Sequence, residues 1–167
     1  GAWFDFEEGT GGHLEEKKVE LAPNVVRMVV EKYDYVDLDG VLRYQVCRFM
    51  PKDFRPRVPA GSGWREGAGC MDGIERLPYR VTEILASDYV IVVEGEKDVD
   101  ALRAAGYVAT SKCGGAQKSW EPSALGYFRD RDVYVIPDND TAGIRGAEKT
   151  CAALVGVARS VRYAPLC

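Results

Sequence analysis

Glu94, Asp138 and Asp140 each stand just beyond a hydrophobic run. Tyr89-Val90-Ile91-Val92-Val93 leads into Glu94-Gly95-Glu96-Lys97-Asp98, and Val133-Tyr134-Val135-Ile136 leads into Pro137-Asp138-Asn139-Asp140-Thr141-Ala142-Gly143. β-branched and aromatic runs of this length read as strands buried on both faces, as in a parallel sheet covered by helices. Open sheets of that kind bind ligands outside the carboxyl ends of their strands. Carboxylates converging there repel one another and raise one another's pKa unless a cation neutralises them. The expected chemistry is therefore a divalent-cation site, Mg²⁺ or Mn²⁺, held by Glu94, Asp138 and Asp140.

Other acidic and phosphate motifs fit these residues poorly. A calcium-binding EF-hand loop starting at Asp138 needs an oxygen ligand fifth and a glutamate twelfth, but Ala142 and Lys149 occupy those positions. A haloacid-dehalogenase phosphatase places its paired aspartates after the first strand, whereas these follow the third strand of the alternation. Cys113-Gly114-Gly115-Ala116-Gln117-Lys118-Ser119 lacks the glycine that precedes the lysine of a nucleotide-binding P-loop. His13 is the single histidine, which disfavours serine-histidine chemistry.

The elements that must position the acids alternate regularly. A strand at 89–93 is followed by a helix near 96–105 that Gly106 ends, and a strand at 107–111 leads into Gly114-Gly115 and a helix near 120–128. A strand at 132–136, a helix near 142–155 and a strand near 159–163 complete the series, which implies a parallel sheet with right-handed crossovers. In this topology Lys97, Lys112 and Lys118 lie at loop ends near the acids and are candidate phosphate contacts. Each taken singly also reads as solvated surface.

Upstream the pattern changes. Residues 1–24 read as a glycine- and glutamate-rich connector, and residues 25–87 as a strand-rich subdomain. Val29 to Val36 and Val41 to Phe49 form a hairpin about Asp37-Leu38-Asp39-Gly40. Residues 51–73 read as loop with room for one more short hairpin, and Leu77 to Ala86 as a short helix. The net charge of −4 argues against coating nucleic acid through bulk charge, yet Arg43, Arg48, Lys52, Arg55, Arg57 and Arg65 face only Asp53 in their stretch. Tyr44, Phe49, Phe54 and Trp64 are interleaved with them, a combination of phosphate-binding charge and stacking faces. A solvated ribbon with ordinary aromatic packing accounts for the same residues.

Five scattered cysteines without a CxxC pair encode neither a disulfide framework nor a zinc ribbon. No run reaches the length of a membrane span, and the amino terminus lacks a signal-peptide pattern, so a soluble, cytoplasmic chain is expected.

Taken together, Glu94-Gly95 after one strand, Gly114-Gly115 after the next and Asp138-x-Asp140-x-Ala142-Gly143 after the third resemble the Toprim domain. That domain is the catalytic core of bacterial and phage primases, type IA and type II topoisomerases, and the OLD and RecR families. The resemblance spans 89–163 and implies an α/β fold, a Rossmann-like parallel sheet with flanking helices over residues 88–167, preceded by the strand-rich α+β subdomain. It makes Glu94 the family's glutamate, Asp138 and Asp140 its metal-binding pair, and Asp98 a further acid of the primase branch.

Tyr33-x-Tyr35-x-Asp37 through Arg48-Phe49 and Pro51-Lys52-Asp53-Phe54-Arg55 resemble the region before Toprim in phage and plasmid primase-helicases. Gly1-x-Trp3-x-Asp5-Phe6 resembles the segment after their zinc ribbon. With neither zinc-ribbon cysteines nor a helicase ATPase, the chain looks like the middle of a larger protein. The function so implied is DNA primase: RNA primer synthesis from nucleoside triphosphates on a single-stranded DNA template, with a replicative helicase domain in the full-length protein. Lys52, Arg55 and Arg57 are the expected template contacts. A Toprim nuclease and a non-catalytic DNA-binding replication module are the alternatives. Topoisomerase activity is disfavoured, because the nucleophilic tyrosine would have to come from another domain.

Overall fold

The computed structural model describes residues 27–114 and 118–165; the expected connector 1–24 lies outside the described residues. Four strands form an antiparallel meander: β1 (Met28–Val36), β2 (Leu42–Met50), β3 (Asp53–Ala60) and β4 (Gly63–Glu66). Asp37 shapes the first turn by accepting hydrogen bonds from Asp39 N and Val41 N at 3.0 and 2.9 Å, while Gly40 takes a φ of +79°. β3 and β4 occupy the stretch read from sequence as loop. Pro56 pairs only with β2 and Pro59 only with β4, because Arg57 alone is partnered on both sides. Each proline thus has an unpaired side on which a missing N–H costs no ladder bond.

The second sheet is parallel, in the order β6-β5-β7-β8, built from β5 (Tyr89–Val92), β6 (Ala109–Thr110), β7 (Asp132–Val135) and β8 (Ser160–Tyr163). Its crossovers carry α2 (Glu96–Ala104), α3 (Pro122–Leu125) and α4 (Thr141–Leu154), with α1 (Val81–Leu85) entering ahead of β5. Gly106 ends α2 at φ +88°. Its N–H donates to Arg103 O and that of Tyr107 to Leu102 O, which satisfies carbonyls the helix leaves open. The helix expected near 120–128 is four α-helical residues followed by a 3-10 turn over Gly126–Phe128. The one expected from Leu77 starts only at Val81, because Pro78 bridges to Lys112 and Arg80 adopts φ +58°.

β5 is covered on both faces, as its continuous apolar run predicts. Val90 and Val92 join Ile84, Trp120, Phe128, Val133, Val135, Ala147 and Leu154 in one core. Ile91 and Val93 pack against the other, where the inner face of the meander (Tyr33, Tyr35, Tyr44, Val46, Val58) meets Leu77, Tyr79, Val99 and Ala109. Tyr35 stacks on Tyr44 with centroids 4.3 Å apart, and their hydroxyls bond outward, Tyr44 to Leu77 O at 3.2 Å and Tyr35 to Glu96 Oε1 at 2.8 Å. The two sheets therefore share a core, which fixes the antiparallel sheet against the edge where the acids emerge. Among the described residues no helix is long and apolar enough to cross a membrane.

Candidate functional site

Strand register brings the acidic loops to one edge. Val92 pairs with Val135 across β5 and β7, and Ile136 N donates to Val92 O at 2.9 Å, so Glu94 and Asp138 leave adjacent strands on the same side. On the other flank Val93 N donates to Thr110 O at 3.0 Å, which places Lys112 beyond the end of β6, beside Glu94. Glu94, Lys112 and Asp138 accordingly line one small cavity of about 20 Å³, with Trp120 and Thr150 below. Trp120 Nε1 donates to Thr150 Oγ1 at 3.3 Å, and that hydroxyl donates to Gly146 O at 3.0 Å, which seals the polar floor.

Asp138 also borders an open cleft of about 650 Å³ together with Asp98, Asn139 and Asp140, over a floor that includes Leu102, Ile144 and Tyr163. Burial, then the neighbouring Asp98 and Asp140 carboxylates, pushes Asp138 above the ordinary carboxylate range, and Lys52 from the β2–β3 turn draws it back. Asp140 caps α4, its Oδ1 accepting Gly143 N at 2.6 Å. Gly143 is required by close approach: a Cβ there would lie 2.8 Å from both Asp138 Cβ and Asp138 O. The same loop that carries the acids is thus pressed onto the first turn of α4.

Among the described residues no three His, Cys, Asp or Glu side chains are gathered closely enough to hold one ion. The strand-end placement matches the sequence expectation, but the acids are arranged as neighbours around Asp138 rather than as a closed cluster. Repulsion between like charges, and the capping bond that turns Asp140 toward α4, account for the spread. The donor set nonetheless suits a hard cation, since carboxylate oxygens are the ligands Mg²⁺ prefers and a cation would relieve the crowding that raises Asp138.

The candidate cations are divided. Burial lowers Lys112, with Glu94 opposing that shift and Lys149 adding to it. Lys118 shares a second cavity with Lys112, whereas Lys97 is exposed on α2 and lines neither space. In the meander Arg55 pairs with Asp53 at 2.8 Å. Arg57 is held by Gln45 Oε1 at 2.8 Å, by Glu66 at 3.5 Å and by stacking on Trp64 at 4.1 Å. Gln45 in turn donates to Asp34. The basic ribbon therefore presents Lys52 and Arg55, while Arg57 is engaged within the sheet.

Two residues outside the expected set also reach this edge. Glu96, buried at the start of α2, takes the Tyr35 hydroxyl, and Arg76 arrives from the segment between the sheets. A second glutamate after Glu94 was visible in sequence, but only the packing of Tyr35 tells the structural acid from the strand-end one.

Similarity to known proteins extends to the fold. The crystal structure of the primase fragment of the bacteriophage T7 primase-helicase protein matches with a TM-score of 0.54 at 23% identity, over 80% of this chain and 51% of that one. No family model and no curated protein matches the chain. The chain shares the fold of that fragment, a mixed α/β arrangement with one antiparallel and one parallel sheet, and spans about half its length.

Proposed function

We propose that this chain is the Toprim-containing part of a DNA primase, carrying out divalent-cation-dependent nucleotidyl transfer on a single-stranded template. The observation that carries the reading is the parallel register of β5 and β7, which sets Glu94 and Asp138 side by side at the ligand-binding edge of a primase-like fold. In the reaction a 3′-hydroxyl attacks the α-phosphorus of a nucleoside triphosphate, a P–O bond forms, and pyrophosphate leaves. Mg²⁺ or Mn²⁺, held by Glu94, Asp138 and Asp140 with Asp98 alongside, would supply charge neutralisation for the phosphates. The Glu94 carboxylate either shares the cation or takes the hydroxyl proton, and Lys112 faces the phosphate charge from the adjoining strand end.

Template binding falls to the meander. Lys52 sits near Asp138, exposed Arg55 lies next along the ribbon, and the Arg57–Trp64 stack offers a flat face for a base. In the full-length protein a replicative helicase domain is the fitting partner. The test is to incubate the protein with single-stranded DNA, ribonucleotides and Mg²⁺, and to score primer synthesis against strand cleavage. Synthesis is expected; nicking without synthesis would assign the same acids to a nuclease, and DNA binding without either would leave a non-catalytic module.

A further inference from the structure

The hydrogen bond between Tyr35 and Glu96 joins the two sheets at the point where the acids emerge. Glu96 opens α2 two residues beyond Glu94, and Gly95 ahead of it has no side chain with which to cap the helix. The Glu96 carboxylate takes that place by accepting its own backbone N–H, a negative charge at the positive end of α2. It is nevertheless buried, and a buried carboxylate stays in place only where hydrogen bonds replace its water. The Tyr35 hydroxyl, 2.8 Å from Oε1 on a fully buried ring, supplies one. Among the described residues no other side chain of the meander hydrogen-bonds α2.

Later turns of α2 are held from elsewhere: Arg80 donates to Asp100 at 2.8 and 2.9 Å, Tyr79 to the same carboxylate at 3.3 Å, and Arg103 pairs with Glu83 at 2.9 Å. The first turn relies on the Tyr35 bond, on the burial of Val99, and on two long backbone bonds from Asp98 N and Val99 N to Gly95 O, both 3.2 Å. That turn carries Asp98, which lines the open cleft with Asp138 and Asp140. Asp98 folds back onto Gly95, where a Cβ would lie 3.3 Å from its Oδ2, so the start of α2 sets how Asp98 and the neighbouring Glu94 face Asp138. We propose that Tyr35 is a positioning residue for the divalent-cation site, its hydroxyl pinning the first turn of α2 through Glu96 so that Asp98 and Glu94 are presented to a cation beside Asp138. Without the hydroxyl, Glu96 regains a hydrogen bond only from water, which it reaches by moving outward from the meander. Asp98 moves with it. The inference rests on the reading of this edge as a cation site and requires no turnover.

Calorimetric titration of Mn²⁺ into wild type and Tyr35→Phe is the test. Affinity should fall about tenfold, the lower end of what partners behind metal ligands contribute, because Tyr35 acts through Glu96 and the helix. Glu96→Gln keeps a carbonyl oxygen for the hydroxyl and should bind within about twofold of the wild type, whereas Glu96→Leu should lose as much as Tyr35→Phe, with no further loss when the two are combined. Ile84→Val lowers stability in the other core and should bind Mn²⁺ as the wild type does, which separates positioning from lost stability. Before any cation is added, amide exchange at Asp98 and Val99 should be at least about tenfold faster in Tyr35→Phe. A shifted Mn²⁺ affinity in a protein that makes no primer would uphold the proposal and remove the nucleotidyl-transfer reading alone. Absence of Mn²⁺ binding by the wild type, wild-type affinity in Tyr35→Phe, or an equal fall in Ile84→Val would overturn it.

Discussion

Replacing Tyr35 with Phe should destabilise the protein by an amount that grows with pH. The ring would keep its stack on Tyr44 at 4.3 Å and its contact with Tyr79 at 5.2 Å, so the change isolates the hydroxyl that donates to Glu96 Oε1 at 2.8 Å. Glu96 is only 7% exposed, and burial raises it above its ordinary value, while the Tyr35 bond pulls it down. The folded state therefore holds the Glu96 proton more tightly than the unfolded chain does. That contribution is fully present below the unfolded value of about 4.5 and is lost as pH rises through the higher folded value.

Without the hydroxyl Glu96 rises further, and the loss deepens. A hydrogen bond to a charged buried group is worth about 1.5–3 kcal/mol and one to a neutral group about 0.5–1.5 kcal/mol. The expected cost is thus about 2 kcal/mol at pH 8, where Tyr35 itself stays protonated because burial raises it well above 10, and about 1 kcal/mol near pH 4.5. Urea titrations of wild type and Tyr35→Phe at the two pH values measure this directly. Equal costs at both, or a cost that shrinks as pH rises, would refute the ionised, hydrogen-bonded state of Glu96.

Gly143→Ala should cost about 1–3 kcal/mol, because the new methyl meets backbone as well as side-chain atoms of Asp138, and thermal melts will register it. Asp138→Asn should leave the melting temperature unchanged or higher at pH 7 while weakening Mg²⁺ affinity in calorimetry, because a carboxylate raised by its neighbours destabilises the folded state once ionised. Lys52→Ala and Arg55→Ala should each lower the salt slope of single-stranded DNA binding by about 0.7 per lost phosphate contact. Arg57→Gln should instead act on stability, costing about 1 kcal/mol through the unpaired Gln45 acceptor.

Much of the parallel half was legible because its signals are local. The run Tyr89–Val92 is apolar throughout, Gly106 marks the end of α2, and the acids follow their strands directly. The meander was less legible: Pro56, Pro59, Gly61 and Gly63 read as loop, and only the offset of β2 and β4 along β3 explains why prolines fit there. Gln45 and Cys47 are buried on the face of β2 opposite Tyr44 and Val46, because Asp34, Gln45 and Arg57 satisfy one another across the sheet. At the site, strand order put Glu94, Asp138 and Lys112 together, as their loop positions imply. Arg76 could not be placed, since its arrival depends on a two-residue strip pairing with the far side of β6. The basic stretch, read as a charge pattern, did not reveal that Arg57 is consumed by contacts within its own sheet.

The central claim is that the acids at this sheet edge perform nucleotidyl transfer. It is tested most directly by template-dependent incorporation of labelled ribonucleotides in Mg²⁺, comparing wild type with Glu94→Gln while single-stranded DNA binding is followed in parallel. The amide keeps the shape of the glutamate and removes its charge and basicity, so incorporation should fall by about 10²-fold or more with DNA binding retained. Incorporation by Glu94→Gln at the wild-type rate would contradict the assignment.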